Sequence, residues 1–545
     1  MFKVFCMNKT HKIILTVVLS TLAGFFIGTS LVNHLWKKQA VKIDYAIRTN
    51  NKSNKISALI SAIDQMYVDS VNVDTIVEKA LPVILKELDP HSAYYPAQLT
   101  KESNDELHGS FSGIGIQFSL RDDTIHVNSV IRGGPAEKVG LKAGDRIVYI
   151  NDTLFAGKKM LNEDVVKKLK GPDGSEVKVG IVRFSESDII DFTIVRGAIP
   201  IKSIDAAYLT KDKIGYIAIN KFGETTYAEM MTSLSQLQKE GCEKLIVDLR
   251  GNTGGYMGTA ILMANEFLPK GQMIVYTKGL HSKQTSEYAN GKGRFQTTPL
   301  AVLIDETSAS ASEIFSGAVQ DNDRGFIIGR RSFGKGLVQQ PIDFADGSSV
   351  RLTIARYYTP SGRSIQKPYG NGSKDYAMDL LKRLQHGEYF SADSVKLNEN
   401  EIYKTRSGRT VYGGGGIMPD YFVPQDTVAY SPFYSEIVRK SLLNKFSYKY
   451  VDSNRDRLSD FDNLETLLSY LDNDNVVEKF ISFAADNQVR RPSDVDSGAI
   501  GQIRRAILAS IIYNTLEMQD YIKYVNIDDS TVKEAVRLLT EISTL

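Results

Sequence analysis

The first apolar run in the chain is also its longest. Residues 13–32, IILTVVLSTLAGFFIGTSLV, carry no charge, and this is about the length that crosses a bilayer as a helix. Downstream the pattern changes repeatedly. Ile56, Leu59, Ile60 and Ile63 recur at helical spacing, a second helical run covers residues 76–85, and Asp89-Pro90 stops it. From 111 to 196 the texture becomes short strands and glycine turns. FSGIGIQFSL, TIHVNSVI, DRIVYIND and EVKVGIVRF are strand-like, and NEDVVKKLKG is a short helix between the last two. From 201 to 424 strands and helices alternate. KIGYIAI, KLIVDL, QMIVYT and LAVLID are apolar runs bounded by turns, separated by helix-like YAEMMTSLSQLQKEG and YMGTAILMANEFL. That alternation predicts an α/β layer with largely buried strands. Beyond Tyr430 the chain reads as helical, with Ile503, Ile507, Leu508, Ile511 and Ile512 on one face and no chemical motif.

These textures divide the 545 residues into a membrane segment (1–40), an N-terminal helical region (41–105), a strand-rich module (106–198), an α/β core (199–430) and a helical C-terminal region (431–545). The apolar run is too long for the core of a secretory signal and has no convincing cleavage site, so an uncleaved signal anchor is expected, with a cleaved signal as the alternative. Lys3, Lys9 and Lys12 before it and Lys37 and Lys38 after it give a weak preference for a cytosolic N-terminus. Either way the remainder is expected on the extracytoplasmic side, held at the inner membrane of the periplasm by a single span. A net charge of +2 gives no basic excess for nucleic acid. Two cysteines, Cys6 and Cys242, exclude a disulfide framework.

Chemistry concentrates in two stretches. LAVLIDETSASASEIFSGAVQ is a buried strand, a tight turn and a helix beginning near Ser310. Ser310 stands three residues before Glu313, which is capping-box spacing. A nucleophile fits the same place, because the next N–H, that of Ala311, is free at a helix start to bind an oxyanion. The second stretch, GRRSFGKGLVQQ (329–340), matches the first part of a phosphate loop. However, Gly336 stands where Mg²⁺ would need Ser or Thr, and GLVQQPIDF after it looks like a strand rather than a helix. The other role for Lys335 is general base. An amine with an ordinary pKa of about 10.4 must then be neutral near pH 7, which takes about 4 kcal/mol of differential interaction, obtained by desolvation among Phe333, Leu337 and Val338. The seven histidines are scattered, and none sits in a hydrolase-like strand-end motif.

Two resemblances extend this reading. GGPAEKVGLKAGDRIVYIN between strands resembles the PDZ family, whose members capture peptide C-termini by strand addition and a carboxylate-binding loop. The matching loop is Gly113, Ile114, Gly115 and Ile116. SASASEIFSGAVQDNDRGFIIGRRSFGKGLVQQ resembles the active-site region of the carboxy-terminal processing proteases. So do DPHSAYY (89–95), DLRGNTGG (248–255), YYTPSGRSIQ (357–366) and GGGGIMPD (413–420), with Thr253 standing where that family usually has proline. The resemblance implies a crotonase-like protease core with the PDZ domain inserted before it and the N-terminal helices packed on it. It implies Ser310 as nucleophile, Lys335 as general base and Gln339 orienting the lysine. For the oxyanion it implies the N–H groups of Ala311 and a glycine, Gly254 or else Gly255. Substrates are then extracytoplasmic proteins cut near exposed or unfolded C-termini, with no cofactor and no metal. The competing expectation is a catalytically silent PDZ scaffold that binds protein C-termini. For the C-terminal helices the expectation is packing, homo-oligomer formation or adaptor docking.

Overall fold

A computed structural model of the chain describes residues 54–183, 186–426, 431–491 and 497–541. The expected anchor at 13–32 lies outside them. Among the described residues no helix is long and apolar enough to cross a membrane. The chain divides into two units, Met1–Ile84 and Leu85–Leu545. The first holds the two helices expected from their apolar spacing, Asn54–Met66 and Val73–Lys86, the second of which ends in the next unit.

Within the second unit the strand-rich module, the one expected to be a PDZ domain, enters and leaves side by side. Ser110–Gly113 pairs antiparallel with Gly197–Pro200, Ser110 opposite Pro200 and Gly113 opposite Gly197. Beyond that stem lies a sheet ordered Ile116–Arg121, Thr124–Val130, Arg146–Ile150, Glu176–Val182, Ile190–Val195. Alternation sets its faces: Val177, Val179 and Ile181 are buried, while Glu176 and Lys178 face water. Val165 and Leu169 of the helix Asn162–Leu169 close the same core. Among the described residues Ile116–Arg121 has one strand neighbour, so it is an edge.

The α/β core is a six-stranded sheet in the order Ile204–Leu209, Ile214–Ile219, Lys244–Asp248, Leu300–Ile304, Phe326–Gly329, Tyr421–Phe422. The first pair is antiparallel and the rest are parallel. Parallel strands covered on both faces read as unbroken apolar runs, and the central strands Lys244–Asp248 and Leu300–Ile304 are buried throughout. Thr226–Lys239, Met257–Phe267 and Ala311–Asp321 cover one face. Val532, Ala535, Leu538 and Leu539 of the last helix, Ser530–Glu541, cover the other. QMIVYT departs from the expected layer. Its strand, Met273–Lys278, joins a second, antiparallel sheet with Ala93–Tyr95, Leu337–Asp343, Ser349–Tyr358 and Thr285–Tyr288. The difference has a visible cause: this strand ends in Tyr276, Thr277 and Lys278, which are not buried, so it cannot lie between two helical layers.

Behind the helix Ala311–Asp321, Asp321 and Arg363 form an ion pair at 2.8 Å with neither side chain exposed. Arg363 also donates to Gln320 Oε1 at 2.7 Å and to the Tyr412 carbonyl at 3.0 Å. Removing one member of such a pair strands a charge in a dry interior. Arg363→Met is expected to lower stability by roughly 3–5 kcal/mol, read as a fall in the urea midpoint. The C-terminal helices from Pro432 to Thr515 enclose their own core, in which Ile503, Ile507, Leu508, Ile511 and Ile512 are all buried, as their spacing predicts.

Candidate active site

Three loops leave the carboxyl ends of three adjacent parallel strands, where open α/β sheets place their ligands. Lys244–Asp248 leads into the 249–256 loop, Leu300–Ile304 into the turn carrying Ser310, and Phe326–Gly329 into the loop carrying Lys335. Strand order thus brings together residues that lie eighty positions apart.

Ser310 is the residue before the helix Ala311–Asp321 and has φ 57°, a conformation that costs a non-glycine residue free energy and recurs at functional sites. The capping-box spacing serves the backbone here. The Glu313 carboxylate accepts the Ser310 N–H at 2.8 Å, and the Glu313 N–H is donated to the Ser310 carbonyl at 2.9 Å. Cap and nucleophile therefore do not compete for one hydroxyl.

Glu313 does more than cap. Its side chain is fully buried and accepts four bonds: from Ser310 N–H, from Lys335 N–H at 2.9 Å, from Gly334 N–H at 2.7 Å and from Ser332 Oγ at 2.5 Å. Burial pushes its pKa up to about 6 against those four donors. Tyr357 makes a second bridge, its hydroxyl shared between the Ser310 carbonyl at 3.1 Å and the Lys335 carbonyl at 2.7 Å. One side chain thus ties the N–H groups of residues 310 and 335, and another ties their carbonyls. Ser332 Oγ also accepts the Ile417 N–H at 2.6 Å, which anchors this arrangement to the GGGGIMPD segment.

Burial, and secondarily Arg351, holds the Lys335 amine below the ordinary lysine range. Its Nζ donates to Gln339 Oε1 at 3.0 Å. Gln339 in turn donates from Nε2 to the His91 carbonyl, so the amide orientation is set by the DPHS turn. Asp89 builds that turn, accepting the N–H groups of His91 and Ser92, each at 2.8 Å. The ring of His91 is turned elsewhere, with Nε2 2.7 Å from the Tyr376 hydroxyl, and burial with the nearby Lys335 charge lowers its pKa to about 4. His91 thus contributes its carbonyl, not its ring, to the bonds around Gln339. Gln339→Ala is expected to lower kcat about 10–100-fold with KM little changed, because orientation of the base rather than substrate binding is lost. Steady-state kinetics checks this.

The sequence motifs converge on these groups. The lysine loop is not a phosphate cradle: Lys335 donates its N–H to Glu313, and the chain continues into the strand Leu337–Asp343. In DLRGNTGG, Gly254 lies against Ser310 at φ 107°, and a Cβ there would sit 2.8 Å from Ser310 Cβ and 3.0 Å from the Ala311 nitrogen. Its N–H is donated to Asn252 Oδ1 at 2.9 Å. In this conformation Gly254 thus touches the serine while its donor is engaged elsewhere. The Ala311 N–H, first in its helix, is donated to no group among the described residues. Likewise Lys335 Nζ is bonded to Gln339 and not to Ser310 Oγ. Catalytic hydrogen bonds are commonly long or unmade until substrate is bound.

In the PDZ module the carbonyls of Ile114 and Gly115 accept from Ala136 at 2.8 Å and Ile131 at 2.9 Å. Ile114 points into the module's core, so its part in any ligand loop is limited to main chain. Reading from sequence gave Glu313 only as a cap and missed Tyr357, Asn252 and the carbonyl of His91. The signal for Tyr357 and His91 was their place inside YYTPSGRSIQ and DPHSAYY.

Residues 213–372 match Peptidase family S41, residues 112–194 match the PDZ domain, and residues 433–517 match a family of unknown function, DUF8443. A carboxy-terminal-processing protease of Bartonella bacilliformis is 34% identical over 422 residues, 75% of this chain and 92% of its own length. A probable CtpA-like serine protease of Staphylococcus aureus is 33% identical over 374 residues, 68% of this chain and 71% of its own. Among solved structures, a photosystem II D1 C-terminal processing protease aligns at 28% identity over 56% of this chain and 88% of that one, with a TM-score of 0.32. With a serine at a helix start, a half-buried lysine on the neighbouring loop and relatives matched over most of their length, the chain belongs to the carboxy-terminal-processing serine proteases of peptidase family S41, with a PDZ domain.

Proposed function

We propose that the enzyme cleaves protein substrates near exposed or unfolded C-termini by a Ser/Lys mechanism. Ser310 Oγ attacks the peptide carbonyl and passes its proton to neutral Lys335, which Gln339 orients. The protonated amine then donates to the leaving nitrogen as the tetrahedral intermediate collapses. The observation that carries this reading is the pair of bridges, Glu313 to both N–H groups and Tyr357 to both carbonyls, that hold residues 310 and 335 side by side. The Ala311 N–H supplies one oxyanion donor. The second is Gly254, once its N–H turns from Asn252, or Gly255 beside it.

The PDZ domain captures the substrate tail. The loop Gly113, Ile114, Gly115, Ile116 receives the carboxylate, and the tail adds a strand to the edge Ile116–Arg121, a mode supported by that strand's having one neighbour. Capture raises the effective concentration of the tail at the serine. Residues 13–32 anchor the chain, placing the site on the extracytoplasmic side of the inner membrane, in a crotonase-like arrangement of core and module.

The test uses a chain beginning at Val41 and an unfolded protein with a free or an amidated C-terminus. The expected result is faster cleavage of the free form, a preference that deletion of residues 106–198 abolishes. Equal cleavage of both forms by the intact chain would sink tail capture, and cleavage by Ser310→Ala would sink the assigned nucleophile.

A further inference from the structure

Besides packing its last helices on the protease sheet, the helical region after Ser431 reaches two places of its unit that bear on the site. The first is the outer, polar face of the PDZ sheet. Arg121 ends the edge strand Ile116–Arg121, and its guanidinium lies 3.1 Å from the centroid of the Tyr448 ring on the helix Leu442–Ser453. Bonds to Ser119 Oγ and Asn128 Oδ1, each at 2.9 Å, fix that guanidinium in place. Stacking of this kind, partly out of water, is among the stronger surface contacts. Beside it Arg146 faces Asp452 at 3.9 Å, and the Arg455 side chain lies over the backbone of Gly144.

The second place is the oxyanion loop. Arg250, four residues before Gly254, grips Asp248 with Nε at 3.0 Å and Nη2 at 2.6 Å, and gives its Nη1 to Asp529 Oδ2 at 2.8 Å. Asp529 also accepts the Val532 N–H at 2.8 Å, capping the last helix. Asn526 donates to the Tyr208 hydroxyl at 2.9 Å in the same patch.

The two contacts are joined by packed structure. The helix Met518–Asn526 sends Tyr521 and Tyr524 into the bundle core that holds Phe446 and Tyr450, and sends Ile522 onto the protease sheet. At its far end stands the loop whose Gly254 N–H is held by Asn252 Oδ1; turning that N–H toward Ser310 is the second state the proposal below requires. Coupling requires such an element, which both sites can bias.

We propose that the C-terminal helical region is a coupling bracket, carrying the state of the tail-accepting strand through Tyr448 and Asp529 to the oxyanion loop. Its role is then to make turnover depend on tail capture, and Asp529 acts as a positioning residue through Arg250. This rests on the tail-capture reading above.

The experiment measures kcat and KM of the full chain on one substrate with free or amidated C-terminus, for wild type, Tyr448→Ala, Tyr448→Phe and Asp529→Asn. Binding of a fluorescent carboxylate-ended peptide is followed by anisotropy, and melting temperature reports folding. Wild type is expected to turn over the free form on the order of tenfold faster, within the usual range of coupling between sites. Tyr448→Ala loses that stimulation while binding the peptide within about twofold of wild type, because the peptide edge is untouched. Tyr448→Phe retains it, because the ring face remains. Asp529→Asn lowers kcat on the free form with KM unchanged, and adding Tyr448→Ala to it costs nothing further. If Tyr448→Ala lowers the melting temperature, Tyr448→Leu, which keeps the bulk without the ring face, takes its place with the same expectation. Full stimulation in a folded Tyr448 variant lacking the ring, or loss only in proportion to lost peptide binding, overturns the bracket while leaving tail capture standing. Equal turnover of both substrates by wild type removes tail capture, and the bracket with it.

Discussion

Ser310→Ala is expected to lower kcat by roughly 10³–10⁶-fold while leaving the PDZ domain untouched, and Lys335→Ala to do nearly the same. The two losses do not add. In the proposed mechanism serine and lysine act in a single proton transfer, so the double variant is expected to be no worse than the weaker single one. Lys335→Arg is the sharper variant. A guanidinium keeps the positive charge but does not deprotonate in a protein, so it cannot serve as base. If Lys335 only balanced charge against the Glu313 carboxylate, Lys335→Arg would retain much of the activity. As general base its loss is expected to match that of Lys335→Ala. Single-turnover cleavage of an unfolded protein with a free C-terminus separates these outcomes, because it reads the chemical step without product release.

Glu313→Gln carries the second large effect, and it falls on activity and stability together. The carboxylate offers acceptors to four donors, among them the N–H groups of Ser310 and Lys335 on one oxygen. An amide has one oxygen, so its NH₂ faces two of those donors. Each donor left unsatisfied in a dry interior costs roughly 1–3 kcal/mol. The loops also lose register, and misplacement by about 1 Å costs on the order of 100-fold in rate. Denaturant melts and kcat measured side by side check both. The titration of Glu313 gives the direction with pH. Its folded pKa, about 6, is above the ordinary 4.5 because burial opposes the charge. The stability linked to this group is therefore fully present below about 4.5 and lost as pH rises through about 6. Activity follows the opposite course. Below about 6 a proton enters an acceptor site that the loops need, so kcat is expected to fall on the acid side while the protein stays folded. Glu313→Gln should lose that second protonation and keep only the acid limb set by Lys335.

Much of the site was legible because its parts are short and local. SASASE and FGKG lie on turns directly after apolar strands, and strand-end turns in an α/β sheet converge by topology. The helical periodicity of Ile503 to Ile512 gave the bundle core for the same reason: a 3.6-residue repeat needs no knowledge of partners. Glu313 was visible as a helix cap, but its bonds to residues 332–335 depend on two loops meeting, which spacing does not encode. The occupied N–H of Gly254 was equally hidden, since only the fold brings Asn252 Oδ1 to it. QMIVYT misled as a buried strand because three apolar residues outweighed the polar end that turned it into the second sheet. The last helix shows why the role of residues 431–545 was not legible. Val532, Ala535, Leu538 and Leu539 are an ordinary amphipathic stripe until the uncovered face of the protease sheet is placed beside them.

The most direct test of the Ser/Lys mechanism is the pH dependence of covalent labelling by a fluorophosphonate, with the modified residue located by mass spectrometry. The expected label is on Ser310, at a rate that rises with pH with a midpoint well below the ordinary lysine value of about 10.4, and that collapses in Lys335→Ala. Label on another residue, or an unchanged rate and midpoint in Lys335→Ala, would contradict the mechanism.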